Sequence, residues 1–407
     1  MNRLWTRDFT IITLGSVVSM LGNAIAGFAI GLLVLDFTES TFLYALFSVA
    51  YMSPKVIMPA IAGPYLDNFS RKKVIYVLDF ISAAFFISFY FVLSTGFFNY
   101  TLLLLLSIFL GSVDSIYTVA YDSLYPNLVS EGNFTKAYSI SSMIYPLAAV
   151  MVPVSAYLYE RIGLAPLFLF NGVTFLIAAI FETRIGYVET HMKPREKKMV
   201  LKKYKEEFKS GLSYISGEKG LAVITAYFTF TAFCDAALST LGMPYFRSNA
   251  MLGVQLFTFA MGAGVVGRFI GGMVHYKFKY PVEKKFDIAM VVYVSVSLLS
   301  AVFLFLPFPL MLVCQFVTGI MGVTSFNIRI SATQSYIPDS HRARFNGVFS
   351  MFMTIGMILG QLVSGWLGGF VSTRIIVAVF MGLNLIGSFL IMARNKSSVG
   401  KIYNRAS

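Results

Sequence analysis

Long apolar runs, separated by short polar interruptions, follow one another along almost the whole chain. Most of them reach the roughly 20 residues that an α-helix needs to cross a hydrocarbon core about 30 Å thick. The apolar positions are consecutive and do not alternate with polar ones, which excludes the strands of a transmembrane barrel. The pattern predicts twelve transmembrane helices, numbered here as segments 1 to 12: residues 9–35, 41–63, 74–95, 100–124, 137–159, 163–184, 220–246, 250–275, 286–306, 308–333, 345–370 and 373–393.

Composition supports this prediction and excludes a water-soluble protein. Hydrophobic residues make up 57% of the 407 residues, charged residues 13%, and the mean hydropathy is +0.74. A soluble domain of this length has no interior large enough for so much apolar surface. Segment 1 follows Arg3 and Arg7, as a signal peptide would, but its apolar run is too long and it lacks a small-residue cleavage site. Cys234 and Cys314 lie inside segments 7 and 10, where we expect apolar packing and no disulfide or metal site.

The formal charge of +13 comes from basic residues in alternate loops. The N-terminus, the loops after segments 2, 4, 6, 8 and 10, and the C-terminus hold most of the 32 lysines and arginines. The opposite loops hold only Arg161, Arg247 and Arg374. Cytoplasmic loops of membrane proteins carry such an excess of positive charge. We therefore expect a multi-pass protein of the cytoplasmic (cell) membrane with both termini in the cytoplasm, and we expect lipid, not nucleic acid, as its surroundings.

The longest loop divides the chain into two halves of six segments. We predict an N-terminal six-helix bundle at 1–185, a basic cytoplasmic linker at 186–219 and a C-terminal six-helix bundle at 220–407. Apolar residues of the linker recur at helical spacing: Leu201, Tyr204, Phe208, Leu212 and Ile215. This spacing favours an amphipathic helix on anionic headgroups. A solvated tether whose charges only enforce topology is the alternative.

The two halves share a weak internal repeat. Segment 4 ends at Tyr125-Pro126-Asn127 and segment 10 at Ile337-Pro338-Asp339, about half a chain apart, and each is followed by a polar turn into the next segment. Short matches of this kind, together with a glycine and a basic loop after segments 2 and 8, favour duplication of a six-helix unit.

The loop between segments 2 and 3 carries a recognisable motif. Residues 63–73 read GPYLDNFSRKK. This loop resembles the signature Gly-x-x-x-Asp-Arg-x-Gly-Arg-Arg/Lys of the major facilitator superfamily, with matches at Gly63, Asp67, Arg71 and Lys72. Asn68 replaces the usual arginine and Ser70 the usual glycine. The resemblance covers essentially the whole chain and is nearest to small bacterial exporters of drugs and natural products. It implies two six-helix bundles that enclose a central cavity and exchange access by rocking.

The motif also has a physical interpretation as a cytoplasmic latch. Gly63 permits close approach of two backbones, and Asp67 can face the positive N-terminal end of a helix in the other half. Arg71 can pair with Asp122 at the cytoplasmic end of segment 4. The resemblance implies that such loops stabilise the outward-facing state. The alternative is that Arg71, Lys72 and their neighbours serve only as a topology signal.

Charged residues inside the segments are the next candidates, because an unpaired charge in hydrocarbon costs several kcal/mol. Lys55 and Asp114 both lie eight residues from the cytoplasmic ends of their helices, roughly 12 Å deep, so a pair between segments 2 and 4 is geometrically reasonable. Arg329 in segment 10 lies at similar depth and is expected to face the cavity, and Asp235 in segment 7 lies toward the outer half. Structural ion pairing is the alternative role for Lys55 and Asp114.

Two further groups are interpreted separately. Asp79 and Arg268, near the cytoplasmic ends of segments 3 and 8, are expected to form structural ion pairs. Tyr117 and Tyr121 lie in segment 4, which lines the cavity in superfamily members. An aromatic cavity with a few charges suits amphipathic organic molecules better than small ions.

These features favour a secondary transporter. The chain has no ATP-binding Gly-x-x-x-x-Gly-Lys-Ser/Thr loop and no His-Glu-x-x-His metal site, so we expect no enzyme activity and no cofactor. An ion gradient is then the source of work. All three histidines lie in cytoplasmic loops, so a coupling proton must bind a carboxylate, with Asp114 as first choice and Asp235 as second.

We therefore expect proton-coupled efflux of a small organic solute by a monomer. Segment 5 departs from the Gly-x-x-x-Gly-Pro-x-x-Gly-Gly pattern of many proton-driven antiporters, because residues 145–153 contain prolines but no glycine. This departure leaves direction and coupling ion open. An importer or facilitator of an organic anion or nutrient, and a receptor that kept the transporter fold, are the alternatives.

Overall fold

The computed structural model of the chain is helical wherever it has regular structure in the residues that it describes: 4–66, 69–130, 137, 140–141, 144, 151–189, 199–277 and 281–405. The α-helices in these ranges, numbered in chain order, are α1 Arg7–Thr38, α2 Thr41–Met52, α3 Pro54–Leu66, α4 Arg71–Ser94, α5 Tyr100–Leu128, α6 Met151–Ile162, α7 Ala165–Glu182, α8 Met199–Gly217, α9 Lys219–Ser248, α10 Gly253–Lys277, α11 Lys285–Val302, α12 Phe308–Tyr336, α13 Asp339–Leu367, α14 Thr373–Gly387 and α15 Lys396–Tyr403.

Eleven helical stretches among the described residues are long and apolar enough to cross a membrane. They correspond to segments 1 to 4 and 6 to 12. Hydrocarbon offers no hydrogen-bond partner, so a spanning chain satisfies its backbone groups within its own helices. Segment 5, predicted at 137–159, lies in large part outside the described residues, and α6 contains its C-terminal end. The predicted all-α membrane class is confirmed.

Segment 2 is not one continuous helix. It ends as α2 at Met52 and starts again as α3 at Pro54, with Ser53 as a turn between them. Proline has no backbone N–H, and its ring clashes with the preceding turn of a helix, so a break at this position is expected. The Ser53 hydroxyl donates to the Ala50 carbonyl at 3.1 Å and so satisfies one backbone acceptor at the break.

The chain forms two compact units. The first comprises Met1–Glu39 and Ala50–Leu201, and the second comprises Ser40–Val49 and Lys202–Ser407. In the first unit α4 and α7 pack along each other, and α1 packs on α7. In the second unit α9 packs on α13, and α10 packs on α12.

From Lys202 onward, the linker helix α8 is part of the second unit. Its Tyr214 ring stacks on His341 with 4.5 Å between ring centroids, and its Ser210 hydroxyl accepts from Arg344 Nη1 at 3.2 Å. Ile215 is buried in the core of that unit, whereas Leu212 is exposed. The apolar side of the helix therefore packs partly on α13, and its contact with headgroups stays a prediction.

Glycines allow the closest helix crossings in both units. A Cβ on Gly111 of α5 would overlap the carbonyl oxygen of Tyr51, and a Cβ on Gly319 of α12 would overlap that of Gly264 in α10. At such a crossing even one methyl group has to push the backbones apart. Small residues serve this purpose in membrane proteins, where packing replaces the hydrophobic effect between helices.

The crossing of α10 and α12 yields a stability prediction. Gly319→Ala should destabilise the protein by about 1–3 kcal/mol, the usual cost of overpacking. Gly322→Ala in the same helix is the matched control, because a Cβ there meets no atom within 4 Å. Thermal unfolding of both variants in detergent measures the effect. Equal melting temperatures for the two variants would refute the predicted close contact.

Candidate functional site

The first candidate site is an ion pair in the first unit. Lys55 Nζ lies 2.6 Å from Asp114 Oδ2, and each side chain keeps 34% of its surface exposed. The Tyr51 hydroxyl donates to the same carboxylate oxygen at 3.2 Å, and Lys55 Nζ lies 4.5 Å from the centroid of the Tyr51 ring. The carboxylate thus has both a cation and a neutral donor, and it remains accessible.

The local sequence explains how this pair forms. The break at Ser53 separates Tyr51 on α2 from Lys55 on α3 and lets both reach the same acid on α5. Gly111, one turn before Asp114, removes the Cβ that would hold the Tyr51 backbone away. Helical rise predicts similar depths for Lys55 and Asp114, but it reveals neither the helix break nor the glycine that brings these elements together.

The signature loop leads into α4 and is held by an acid that the sequence analysis missed. Glu189, in the segment after α7, accepts hydrogen bonds from Arg71 N at 2.8 Å, Lys72 N at 3.0 Å and the Ser70 hydroxyl at 2.9 Å. A carboxylate at a helix N-terminus satisfies its free N–H groups and opposes the positive end of its dipole. Glu189 is therefore an N-terminal cap of α4 that is supplied by the chain after α7. The available sequence signal was an acid close to the start of the basic linker.

The side chains of the motif contact the same region. Arg71 Nη1 donates to the backbone carbonyl of Ser123 at 3.0 Å, next to the predicted partner Asp122, which is exposed. Lys72 Nζ donates to the Tyr187 carbonyl at 2.8 Å and to the Ile185 carbonyl at 3.3 Å. These contacts fasten the start of α4 to α5 and to the chain after α7.

The structure gives less information on the other two motif positions, Gly63 and Asp67. Gly63 lies within α3, and Asp67 lies outside the described residues, as does Asn68. The contact predicted for Asp67 with the other half of the chain therefore stays a prediction.

Tyr117 and Tyr121 stack on α5 with ring centroids 6.1 Å apart. Their hydroxyls are buried and have no hydrogen-bond partner among the described residues. The charged group near both tyrosines is an acid, Glu182, and not a cation. Asp79 lies against Glu182 as well, so the expected structural ion pair of Asp79 is replaced by a pair of acids. Helical spacing gave the depth of Asp79 but not the direction that its side chain faces.

Asp235 and Arg329, the candidates of the second unit, form no ion pair with each other. Asp235 on α9 is exposed. Arg329 on α12 is half-buried, and its guanidinium lies 4.9 Å from the Phe228 ring centroid and 4.8 Å from that of Phe349. No carboxylate within the described ranges lies in salt-bridge distance of Arg329, and its Nε has no acceptor. Aromatic faces stabilise a cation but leave its N–H groups available.

Two further features bound the chemistry. In the part of the chain that the structure describes, no group of three or more His, Cys, Asp or Glu side chains could hold a metal ion. A cavity of about 390 Å³ between α4 and α5 is lined mainly by apolar side chains such as Phe85, Phe89 and Leu106, and it contains none of the candidate residues. Its apolar lining suits lipid chains better than a polar solute.

Comparison with known proteins places this geometry in a family. The profile of the Major Facilitator Superfamily matches residues 12–286 and 284–403. The uncharacterized MFS-type transporter YkuC of Bacillus subtilis (strain 168) is 24% identical over 287 residues, which cover 67% of this chain. The same alignment spans 66% of the length of that relative.

Solved structures show the same fold at low identity. The crystal structure of the nucleoside transporter NupG aligns with a TM-score of 0.71 at 16% identity, over 95% of this chain and 98% of that chain. A structure of the peptide transporter POT aligns with a TM-score of 0.70 at 13% identity, over 97% and 95%. A bacterial homolog of the human lysosomal transporter Spinster aligns with a TM-score of 0.65 at 12% identity, over 98% of both chains.

The predicted fold class, an all-α membrane protein with the major facilitator fold, is thereby confirmed. The family match covers nearly the whole chain and includes the signature loop, the Lys55–Asp114 pair and the helices around Arg329. The chain belongs to the major facilitator superfamily.

Proposed function

We propose that this protein is a secondary active transporter that moves a small amphipathic organic solute across the cytoplasmic membrane by alternating access, as proton-coupled efflux. Membership of a transporter family supports transport and a small-molecule substrate. The observation that carries the finer proposal is the accessible Lys55–Asp114 pair inside the membrane-spanning helices. The direction follows only from the resemblance of the chain to bacterial exporters.

Proton coupling rests on the partners of Asp114. A nearby cation favours the ionised carboxylate, whereas loss of that cation in a desolvated site favours the protonated acid. When substrate competes for Lys55, or when α3 moves away from α5, Asp114 loses the partner that lies at 2.6 Å. It then takes up a proton. Asp235 is the second candidate, because its side chain lies on a spanning helix and is exposed.

The signature loop is proposed to control the cycle on the cytoplasmic side. Arg71 and Lys72 are bound to three backbone carbonyls, and Glu189 caps the helix that they start. A helix start held at so many points moves as a rigid body with α5 and α7. Asp67 and Gly63 are proposed to complete this latch with the other half of the chain.

Arg329 favours a second candidate, transport of an organic anion. A guanidinium at membrane depth is costly unless it faces water or a partner. Arg329 lacks a carboxylate partner in the described ranges, so a carboxylate or phosphate on the substrate would fit there. A thermal-shift screen of the purified protein against organic cations, anions, peptides and sugars distinguishes the two candidates, because a bound ligand stabilises the folded state.

A receptor with a transporter fold is tested in reconstituted vesicles. The ligand that the screen identifies should accumulate, or be expelled, when a pH gradient is imposed. Binding without any movement of ligand would favour the receptor. Movement without dependence on pH would favour a facilitator or another coupling ion.

The ion pair yields a transport prediction. Asp114→Asn should retain substrate binding and downhill exchange but lose accumulation driven by a pH gradient, because the amide cannot exchange a proton. Asp287→Asn is the matched control, since Asp287 forms a pair with Lys396 at 2.7 Å that is largely exposed. Full pH-driven transport by both Asp114→Asn and Asp235→Asn would exclude this mechanism and favour sodium coupling or uniport.

The signature loop yields a second transport prediction. Arg71→Ala and Glu189→Gln should each slow transport roughly tenfold, since a charge-assisted hydrogen bond is worth about 1.5 kcal/mol or more. Membrane insertion should be largely unchanged, and Asp67→Ala should behave in the same way. Lys73→Ala is the control, because Lys73 is exposed and adjacent. If all of these variants transport at the normal rate, the loop is only a topology signal.

A further inference from the structure

A pair of buried acids in the first unit has no role in the proposed transport step. Asp79 lies on α4 and Glu182 is the last residue of α7, and their side chains are neighbours where these two helices pack. Asp79 is 1% exposed and Glu182 is 0% exposed. Asp79 Oδ2 and both oxygens of Glu182 have no hydrogen-bond donor among the described residues.

The groups around the pair are neutral. On α5 the hydroxyls of Tyr117 and Tyr121 are buried without partners and lie near Glu182, and Tyr117 also lies near Asp79. On α1 the Ser16 hydroxyl lies next to both tyrosine hydroxyls and donates its own proton to the Ile12 carbonyl at 2.8 Å. No lysine, arginine or histidine in the described part of the chain forms an ion pair with either acid.

The backbone of α1 encloses the pair from one side. A Cβ on Gly15 would lie 2.9 Å from Glu182 Oε1, so bare backbone covers the carboxylate and leaves no space for hydration on that side. Two ionised carboxylates in such a site repel each other, and neither has a cation among the described residues to offset its desolvation. One proton removes one charge and supplies the missing donor as a short O–H···O⁻ hydrogen bond between the two residues.

We propose that Asp79 and Glu182 form a proton-binding site that holds one shared proton in this packed arrangement. The site differs from Asp114, whose carboxylate already has Lys55 as its cation. The buried Tyr117 hydroxyl lies near both acids and next to Ser16, so it is a neutral donor beside the dyad. A metal ion does not fit, because hard cations take six or more oxygen ligands and the dyad offers fewer. The proposal stands on this geometry and does not depend on the direction or coupling of transport.

The shared proton makes stability depend on pH. In the unfolded chain both carboxyls are solvated and bind protons weakly, whereas the folded dyad retains one. The folded state therefore binds more protons, so its stability is fully present at low pH and is lost as pH rises. The titration belongs to the pair and not to either residue alone.

The test uses the purified full-length protein in detergent. The melting temperature of the wild type should fall as pH rises from mildly acidic to alkaline. Asp79→Asn and Glu182→Gln should each abolish that fall, because an amide is an uncharged donor like the protonated acid. Glu283→Gln, at an exposed carboxyl outside the dyad, is the matched control and should keep the wild-type pH dependence.

Infrared spectroscopy supplies an independent measurement. The wild type at neutral pH should show a carbonyl band of a protonated buried carboxylic acid, and this band should be lost in both amide variants. Tyr117→Phe, which keeps both acids, should shift the band even if the amide variants fail to fold. An absent band, an unshifted band in Tyr117→Phe, or wild-type pH dependence in both amide variants would overturn the proposal. A further result would overturn the proposal: sodium raises the melting temperature of the wild type at constant pH, and either amide variant abolishes this rise.

Discussion

The membrane interior lacks hydrogen-bonding solvent, and the rest of this structure depends on that constraint. Backbone groups are satisfied within helices, so eleven described stretches are long apolar helices. Association between such helices gains little from the hydrophobic effect, and close backbone contact replaces it. Gly111 and Gly319 therefore lie where the backbones of two helices approach each other closely. The same constraint requires each charged group at membrane depth to have a partner or access to water.

Three groups of side chains meet this requirement in different ways. Asp114 has a cation and a tyrosine hydroxyl as partners. Arg329 has aromatic faces but no acid within the described ranges. Asp79 and Glu182 have only each other and neutral hydroxyls. The N···O distance of the exposed Lys396–Asp287 pair is similarly short, at 2.7 Å. Water screens this pair, so it contributes little to the stability of the fold. Burial, more than the distance between two charges, therefore decides how strongly they interact.

The contacts of the first unit connect these sites mechanically. α5 carries Asp114 and Tyr117, and its cytoplasmic end accepts a hydrogen bond from Arg71. α7 ends at Glu182, and the chain that follows supplies Glu189 to the start of α4. The start of α4 is therefore held both by α5 and by the chain that follows α7.

The sequence alone determined the class of fold, because a run of about 20 apolar residues has only one stable conformation in lipid. It also indicated the family, through the loop matches at Gly63, Asp67, Arg71 and Lys72 together with the predicted helices and the basic linker. Helical rise gave Lys55 and Asp114 similar depths, since depth depends only on residue number. Only the tertiary structure decided which way each side chain faces. The break before Pro54, the cap from Glu189 and the pairing of Asp79 with Glu182 depend on helix rotation and on contacts between residues far apart in the chain. Periodicity along one helix cannot specify these, because they arise where several helices pack together.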